Sequence, residues 1–426
     1  MTSVNQPQLT ALNQAIARAR QAPFYHDRLP AEELTDLHQL KTLPLVTKDD
    51  LRQQSPWGLL ATDRRQLRQY HESFGTTGTP VSTWLTSADL ADNAWQVNQC
   101  GIDFRPGDRV LIRYPYALSL IAHMIHRAAQ QKGATVIAAS SRNTITPFAR
   151  VIQLMQKLDI TVLAALPMQA ILLAETAAML GKDSRSDFPA LRAIEVGGEL
   201  LTPRKRRWIE DLWQVPVIEL YGMTEAGTCL ADCGNGRLHL IEDHFIIELL
   251  DDNWQTEVPD GQIGNLVITT ITEKATPLIR FRTDDRARKI LSPCACGRGA
   301  AYELRGRRHD LITIAGQELD LWDLDELVGT LPGHHLWVAG PSGPPSKGLS
   351  GNILHLVIEE TVDPLPPDWT AQLQARVPFP LQLTAVPYGT LYNRQNLLST
   401  AEVGKPRYLF TAEEMDEQAY RSCTRL

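Results

Sequence analysis

Cysteine is scarce in this chain of 426 residues: only Cys100, Cys229, Cys233, Cys294, Cys296 and Cys423 are present. Spread over that length they make no disulfide framework, so reduced thiols are expected. Long apolar runs are also missing. The longest, 161–180, is broken by Pro167, Gln169 and Glu175, and reads as a buried strand followed by a helix, not a membrane span. Residues 1–7 lack the basic and apolar regions of a secretory signal, so the cytoplasm is the expected address. Neither sign of charge dominates. With 42 Lys+Arg against 49 Asp+Glu the formal charge is −7, which disfavours a dedicated nucleic-acid binder. No internal repeat is visible. What remains is an ordinary soluble composition, 43% apolar and 21% charged, long enough for two or three domains at roughly 100–200 residues each.

From residue 108 onward the pattern is regular. Apolar runs suited to buried strands lie at 109–112, 134–139, 160–166, 191–196 and 217–220, with helical stretches between them at 118–131, 147–157, 168–180 and 203–213. Such alternation implies right-handed βαβ units and a parallel sheet covered on both faces. Ligands then belong in the loops at the carboxyl ends of the strands, after Val196 and Leu220. Beyond Cys233 the texture turns β-rich, with paired strands at 245–250 and 265–271 around Pro259-Asp260-Gly261. A smaller α+β unit of short strands follows Gly306, with 340–351 reading as an exposed Gly/Pro/Ser loop. The expected fold is therefore α/β: a large multi-layer domain over 1–306 and a small, mobile α+β domain over 307–426.

Ser73-Phe74-Gly75-Thr76-Thr77-Gly78-Thr79-Pro80 offers glycines, backbone N–H groups and hydroxyls that can wrap an anion. It lacks the Gly-Lys-Ser/Thr ending of the common phosphate-binding loop of nucleoside triphosphatases. It does resemble the Ser/Thr-rich phosphate loop of adenylate-forming enzymes, namely acyl-CoA synthetases, adenylation domains and luciferases. Together with Pro23-Phe24-Tyr25, 43–51 (Leu-Pro-Leu-Val-Thr-Lys-Asp-Asp-Leu) and Gly404-Lys405, the chain is similar to the phenylacetate–CoA ligase group.

The resemblance assigns roles residue by residue. Ser73, Gly75, Thr76, Thr77 and Gly78 would hold the phosphates, and Gly197-Gly198-Glu199 would face the adenine. In Tyr221-Gly222-Met223-Thr224-Glu225, Tyr221 would stack near the base, Thr224 would contact the α-phosphate and Glu225 would bind Mg²⁺. In Phe281-Arg282-Thr283-Asp284-Asp285, Asp285 would take the ribose hydroxyls. Arg307, in the hinge-like Gly306-Arg307-Arg308-His309-Asp310, would reach nucleotide oxygens, and Lys405 would stabilise the transition state. Two departures stand out: Thr79 and His309 occupy positions where relatives commonly carry other residues.

The implied reaction uses ATP to turn a small carboxylic acid, aryl or heteroaryl by resemblance, into an acyl-adenylate. The acyl group then passes to the thiol of CoA, or to a carrier-protein phosphopantetheine. A non-catalytic nucleotide-binding relative is the rival from another class. Tyr114, Tyr116 and His126, with Gly197, fall where relatives line the acyl site, the tyrosines for stacking and His126 for the carboxylate. Cys294-Ala295-Cys296, with Cys233 and His239 upstream, resembles a Cys-rich turn of the family. These four would make a closed structural zinc site, with Cys229 an alternative to Cys233. A homodimer is expected; nucleic-acid and membrane partners are not.

Overall fold

The structure, a computed structural model, describes residues 6–73, 79–361, 364–399 and 406–422. Helices α1 (Gln6–Ala19) and α2 (Lys48–Gln54) precede a hairpin of β1 (Leu67–Glu72) and β2 (Ser82–Thr86). Helix α3 (Ser87–Val97) leads into the alternating region. There β3 (Arg109–Ile112), α4 (Leu120–Gln131), β4 (Thr135–Ala138), α5 (Phe148–Lys157) and β5 (Val162–Ala165) follow one another. Then come α6 (Pro167–Met179), β6 (Ala193–Gly197), α7 (Pro203–Trp213) and β7 (Val217–Met223). Strands β3 to β7 pair in parallel. Every residue of β5 and β6 is buried, as a sheet covered on both faces requires. Helix α5 shows how the cover is made: Phe148, Val151, Ile152 and Met155 repeat at helical spacing and are the buried face. Helix α7 starts sharply because the Thr202 hydroxyl accepts from the Lys205 amide and Pro203 occupies the first turn.

Strands β8 (Gly227–Asp232), β9 (Leu238–Leu240), β10 (Phe245–Leu250), β11 (Ile263–Thr270), β12 (Phe281–Ile290) and β13 (Ala301–Arg307) continue antiparallel. They extend the parallel half into one 11-stranded sheet, ordered β10-β11-β12-β13-β9-β8-β7-β6-β5-β3-β4. After β13 the chain leaves this sheet. Strands β14 (Ile312–Ile314), β15 (Gln317–Leu319), β16 (Trp337–Ser342), β17 (Ser350–Gly351), β18 (Ile353–Glu359) and β19 (Leu381–Val386) make two three-stranded sheets. Helices α8 (Leu321–Val328), α9 (Trp369–Gln374) and α10 (Ala412–Asp416) accompany them.

The α/β class and the parallel sheet are as expected from the alternation. One expectation is corrected. The stretch 340–351 is not wholly an exposed loop, because β16 runs through a buried Gly340-Pro341-Ser342 and pairs with β18 over its full length. Gly340 is required there: a Cβ would lie 2.4 Å from the Phe410 carbonyl oxygen. The stretch Val81–Trp84 is strand-like in sequence and falls largely in β2; its hairpin partner β1 is an addition. No helix among the described residues is long and apolar enough to cross a membrane.

Candidate functional site

Strands β6 and β7 lie side by side, with Gly197 opposite Leu220, and both end at the same rim of the sheet. Gly197 is buried, and a Cβ there would stand 2.7 Å from the Leu220 carbonyl oxygen. Gly198 turns the chain out of the strand at φ +78°, a conformation that suits glycine. Glu199 then points back, its carboxylate accepting from the Met168 amide at 3.2 Å, at the positive end of α6.

The next strand end carries more. The Tyr221 hydroxyl donates to Asp285 Oδ2 at 2.7 Å. Burial, reinforced by the Asp285 charge, holds the Tyr221 pKa well above its ordinary value, so it remains a donor. Asp285 and Arg307 are cross-strand partners in the β12–β13 ladder, and Arg307 Nε lies 3.9 Å from Asp285 Oδ1. Asp285 therefore stands between Tyr221 and Arg307. Its neighbour Asp284 takes a left-handed turn at φ +63°.

Gly222 closes the β7–β8 hairpin so tightly that a Cβ would stand 2.1 Å from the Gly227 carbonyl oxygen. In the turn between them, Thr224 is half-buried and Glu225 is buried. Glu225 Oε1 makes no hydrogen bond among the described residues; its nearest cation is Lys48 Nζ, at 3.8 Å. A buried carboxylate oxygen in that state suits a cation. Sequence reasoning quoted Lys48 within a motif without giving it a role. The local signal was the Thr47–Asp50 capping box that begins α2. What aims the helix is distant: the Val46 amide donates to the Arg280 carbonyl at 3.0 Å, and the Arg282 amide donates to Val46 at 2.8 Å.

Ser73 is buried and closes the base of the glycine-rich loop, its hydroxyl accepting from the Val81 amide at 3.1 Å. Gly75, Thr76, Thr77 and Gly78 lie outside the described residues, as does Lys405. Of the departures, Thr79 is exposed. His309 is also largely exposed, 3.9 Å from Asp310.

On the acyl side, besides Gly197, the three assigned side chains have different surroundings. Tyr114 is wholly buried, its hydroxyl donating to the Ala165 carbonyl at 2.8 Å and lying 3.3 Å from Glu195 Oε1. It supports the floor under Gly197 and presents no open face for stacking. Tyr116 is half-buried, its hydroxyl 3.1 Å from His126 Nδ1. Burial, then His123, lowers the His126 pKa, so a neutral imidazole offers a hydrogen bond and not an ion pair. Two further histidines, unassigned from sequence, join them. The His123 ring packs 5.3 Å from Tyr116 and 5.1 Å from His71. His71, just ahead of Ser73, is pushed down to about 4 by burial and then by His123.

At the far end of the same sheet, one ligand atom each from Cys233, His239, Cys294 and Cys296 falls within 4.8 Å of the others. Cys233 and Cys294 sulfurs are 3.6 Å apart, and Cys296 Sγ is 3.4 Å from His239 Nε2. With Zn–S bonds of about 2.3 Å, a tetrahedron has S–S edges of about 3.8 Å. His239 Nδ1 lies 2.9 Å from the Gly299 carbonyl, the outer contact that commonly fixes a ligating imidazole. The Cys296 amide, with His239 beside it, pulls Cys294 down to about 6, while burial pushes the neighbouring Cys233 up to about 11. The alternative Cys229 is buried elsewhere, its thiol facing the Gly227 carbonyl at 3.8 Å.

Comparison with known proteins bears on this arrangement. A family profile described as "AMP-binding enzyme" matches residues 73–272. The phenylacetate-coenzyme A ligase of Aromatoleum evansii is 30% identical over 305 residues, 70% of this chain and 67% of that enzyme. Among solved structures, 2-hydroxyisobutyryl-CoA ligase in its postadenylation state, with R3-HIB-AMP, superposes at a TM-score of 0.84 and 19% identity, covering 100% of this chain and 94% of that one. The same ligase in its thioesterification state, with 2-HIB-AMP and CoA, gives 0.68 at 21% identity, covering 98% and 93%.

Proposed function

The chain belongs to the phenylacetate–coenzyme A ligase group of the adenylate-forming enzymes, and on that premise we propose that it joins an aryl or heteroaryl carboxylic acid to CoA at the expense of ATP. The observation that carries this reading is the Tyr221–Asp285–Arg307 cluster beside a buried Glu225 whose Oε1 makes no hydrogen bond among the described residues.

A carboxylate is a poor acyl donor because its anionic oxygen leaves badly. In the first step a carboxylate oxygen of the acid bonds to the α-phosphorus of ATP, and the bond to the β-phosphate oxygen breaks. Acyl-adenylate and pyrophosphate result. In the second step the CoA sulfur bonds to the acyl carbon, the carbon–oxygen bond to AMP breaks, and the thiol proton is released. Catalysis of the first step is mainly positioning and charge stabilisation. Asp285, held between Tyr221 and Arg307, takes the ribose hydroxyls; Gly197, Gly198 and Glu199 flank the base; Thr224 contacts the α-phosphate. Ser73 and the loop after it hold the phosphates, and Lys405 steadies charge developing at phosphorus. Glu225 suits Mg²⁺, which offsets negative charge on the triphosphate when bound. Lys48 adds a fixed cation on the same side.

A half-buried Tyr116, beside a neutral His126 and packed against the His123 ring, supports an aromatic acid with hydrogen-bonding substituents over a plain aliphatic one. The Cys₃His cluster suits a closed structural zinc tying the β8–β9 turn to the β12–β13 loop. We place the domain boundary at Arg307, where β13 ends the large sheet and the small sheets begin.

The test is carboxylate-dependent ATP–pyrophosphate exchange across aryl and aliphatic acids, followed by CoA or a phosphopantetheinylated carrier protein. Exchange with aryl acids and thioester on CoA are expected. Exchange without CoA thioester, but with loaded carrier, would replace the acceptor. Silence with every acid would overturn the reading in favour of a non-catalytic relative.

A further inference from the structure

The small unit does not merely touch the large one. Val338, Val357, Val386, Leu397 and Phe410 of the small unit share one buried apolar cluster with Phe148, Ile152, Leu172 and Trp208 of the large one. Three polar clasps run through or beside it, each with a buried charged group.

Arg394 sits between two carboxylates. Its Nε lies 3.0 Å from Glu175 Oε2 on α6, and its Nη1 contacts Glu359 at the end of β18. Glu359 is itself fixed, accepting from the Leu391 amide at 2.6 Å. In the second clasp, Arg204 of α7 donates from Nη1 to Asp325 Oδ1 at 2.7 Å and from Nη2 to the His335 carbonyl at 2.6 Å. Asp325 also accepts from the Thr202 hydroxyl and, at 2.8 Å, from the Trp337 indole. The Arg204 and Asp325 side chains are only 6% and 4% exposed. In the third, Lys205 Nζ donates to the Tyr408 hydroxyl at 2.9 Å and lies 3.3 Å from the Leu200 carbonyl.

The placement of the large-unit partners is the telling part. Thr202, Arg204 and Lys205 follow directly on Gly197-Gly198-Glu199, the turn assigned to the base, and Glu175 lies on the helix whose N-terminus Glu199 engages. Tyr408 stands three positions after Lys405 in the chain. The clasps thus join the nucleotide side of the large unit to the small unit, and the Lys205–Tyr408 clasp does so at the segment that follows Lys405. A buried charge that loses one of its partners is costly, so such contacts favour one discrete arrangement over a continuum.

Building on the ligase reading, we propose that Glu175, Arg204 and Lys205 are positioning residues: through Arg394, Asp325 and Tyr408 they hold the small unit in the arrangement that makes the acyl-adenylate, and their contacts open before CoA reacts. Weakening a clasp then impairs the first step while sparing the second.

The experiment uses the full chain and two conservative variants, Tyr408→Phe, which removes one hydroxyl, and Glu175→Gln, which keeps shape. Acid-dependent ATP–pyrophosphate exchange is compared with thioester formation from chemically prepared acyl-adenylate and CoA. Exchange should fall at least about tenfold in each variant, with thioester formation within about twofold of the parent or faster. An equal fall in both steps, or no fall in exchange, overturns the proposal. Silence of the parent chain in both assays would overturn the ligase reading itself, which variant data alone cannot do. Should Glu175→Gln fail to fold, Tyr408→Phe decides the matter.

Discussion

Strands β8, β12 and β13 have two differently built ends. At one end lie Glu225, Asp285 and Arg307, charged groups half-buried or buried, joined by Tyr221 and approached by Lys48. At the other lie Cys233, Cys294 and Cys296, with His239 from β9, holding sulfur and imidazole in near-tetrahedral spacing. The first end leaves a buried carboxylate oxygen without a hydrogen bond among the described residues; the second closes on itself. An open set of groups serves chemistry, and a closed one serves register. The same strands connect the two ends, so a metal closing the thiol end would brace the ladder on which Asp285 and Arg307 face each other.

This contrast breaks most sharply with Asp285→Ala. Both Tyr221 and Arg307 lose their shared partner, and kcat/KM for ATP should fall at least about 100-fold, ~2.7 kcal/mol of transition-state stabilisation. The melting temperature should hardly move. The converse holds at the thiol end. Cys294→Ser, or stripping with a chelator, should remove about one zinc per chain and cost about 2 kcal/mol of stability in denaturant unfolding. Activity per folded molecule should stay near that of the parent. Well under one zinc per chain in the purified protein would remove the metal from the account. Next comes Lys405→Ala, expected to slow adenylation by at least about tenfold, on the order of 1.4 kcal/mol in barrier. Unchanged exchange kinetics would strike Lys405 from the mechanism.

The smallest effect concerns pH. His71, beside the phosphate loop, is held down to about 4 by burial and then by His123, whereas an unfolded histidine takes a proton near ~6.5. The unfolded chain therefore binds the extra proton as pH drops through that window, and stability present above it is progressively lost towards pH 4. His71→Gln should flatten this part of the stability–pH curve. An unaltered slope would show that His71 does not carry it.

Much of this was legible in residue order. Strand β3 and helix α7 were read to the residue, because apolar periodicity and a Thr-Pro start are local signals. The end of β6 was found to within a residue, since Gly198 turns the chain outward there, whereas β7 runs on to Met223, three residues past the expected Leu220. Lys48 was not assigned because its approach to Glu225 depends on Val46 pairing across to β12. His71 and His123 meet only through the hairpin and α4, which no local pattern links. The clasps at Arg204 and Arg394 were invisible for the same reason: each charge looks solvated until its distant partner is known. Gly340 read as a loop residue, although tertiary contact with Phe410 is what demands a glycine in that strand.

The central claim is that the acid's own oxygen becomes bonded to the α-phosphorus of ATP. It is tested most directly by running the reaction with carboxyl-¹⁸O-labelled aryl acid and CoA, then weighing the nucleotide product. The account predicts one ¹⁸O in AMP and none in pyrophosphate. Label in orthophosphate with ADP as the nucleotide product, or label in neither product while thioester forms, would contradict it.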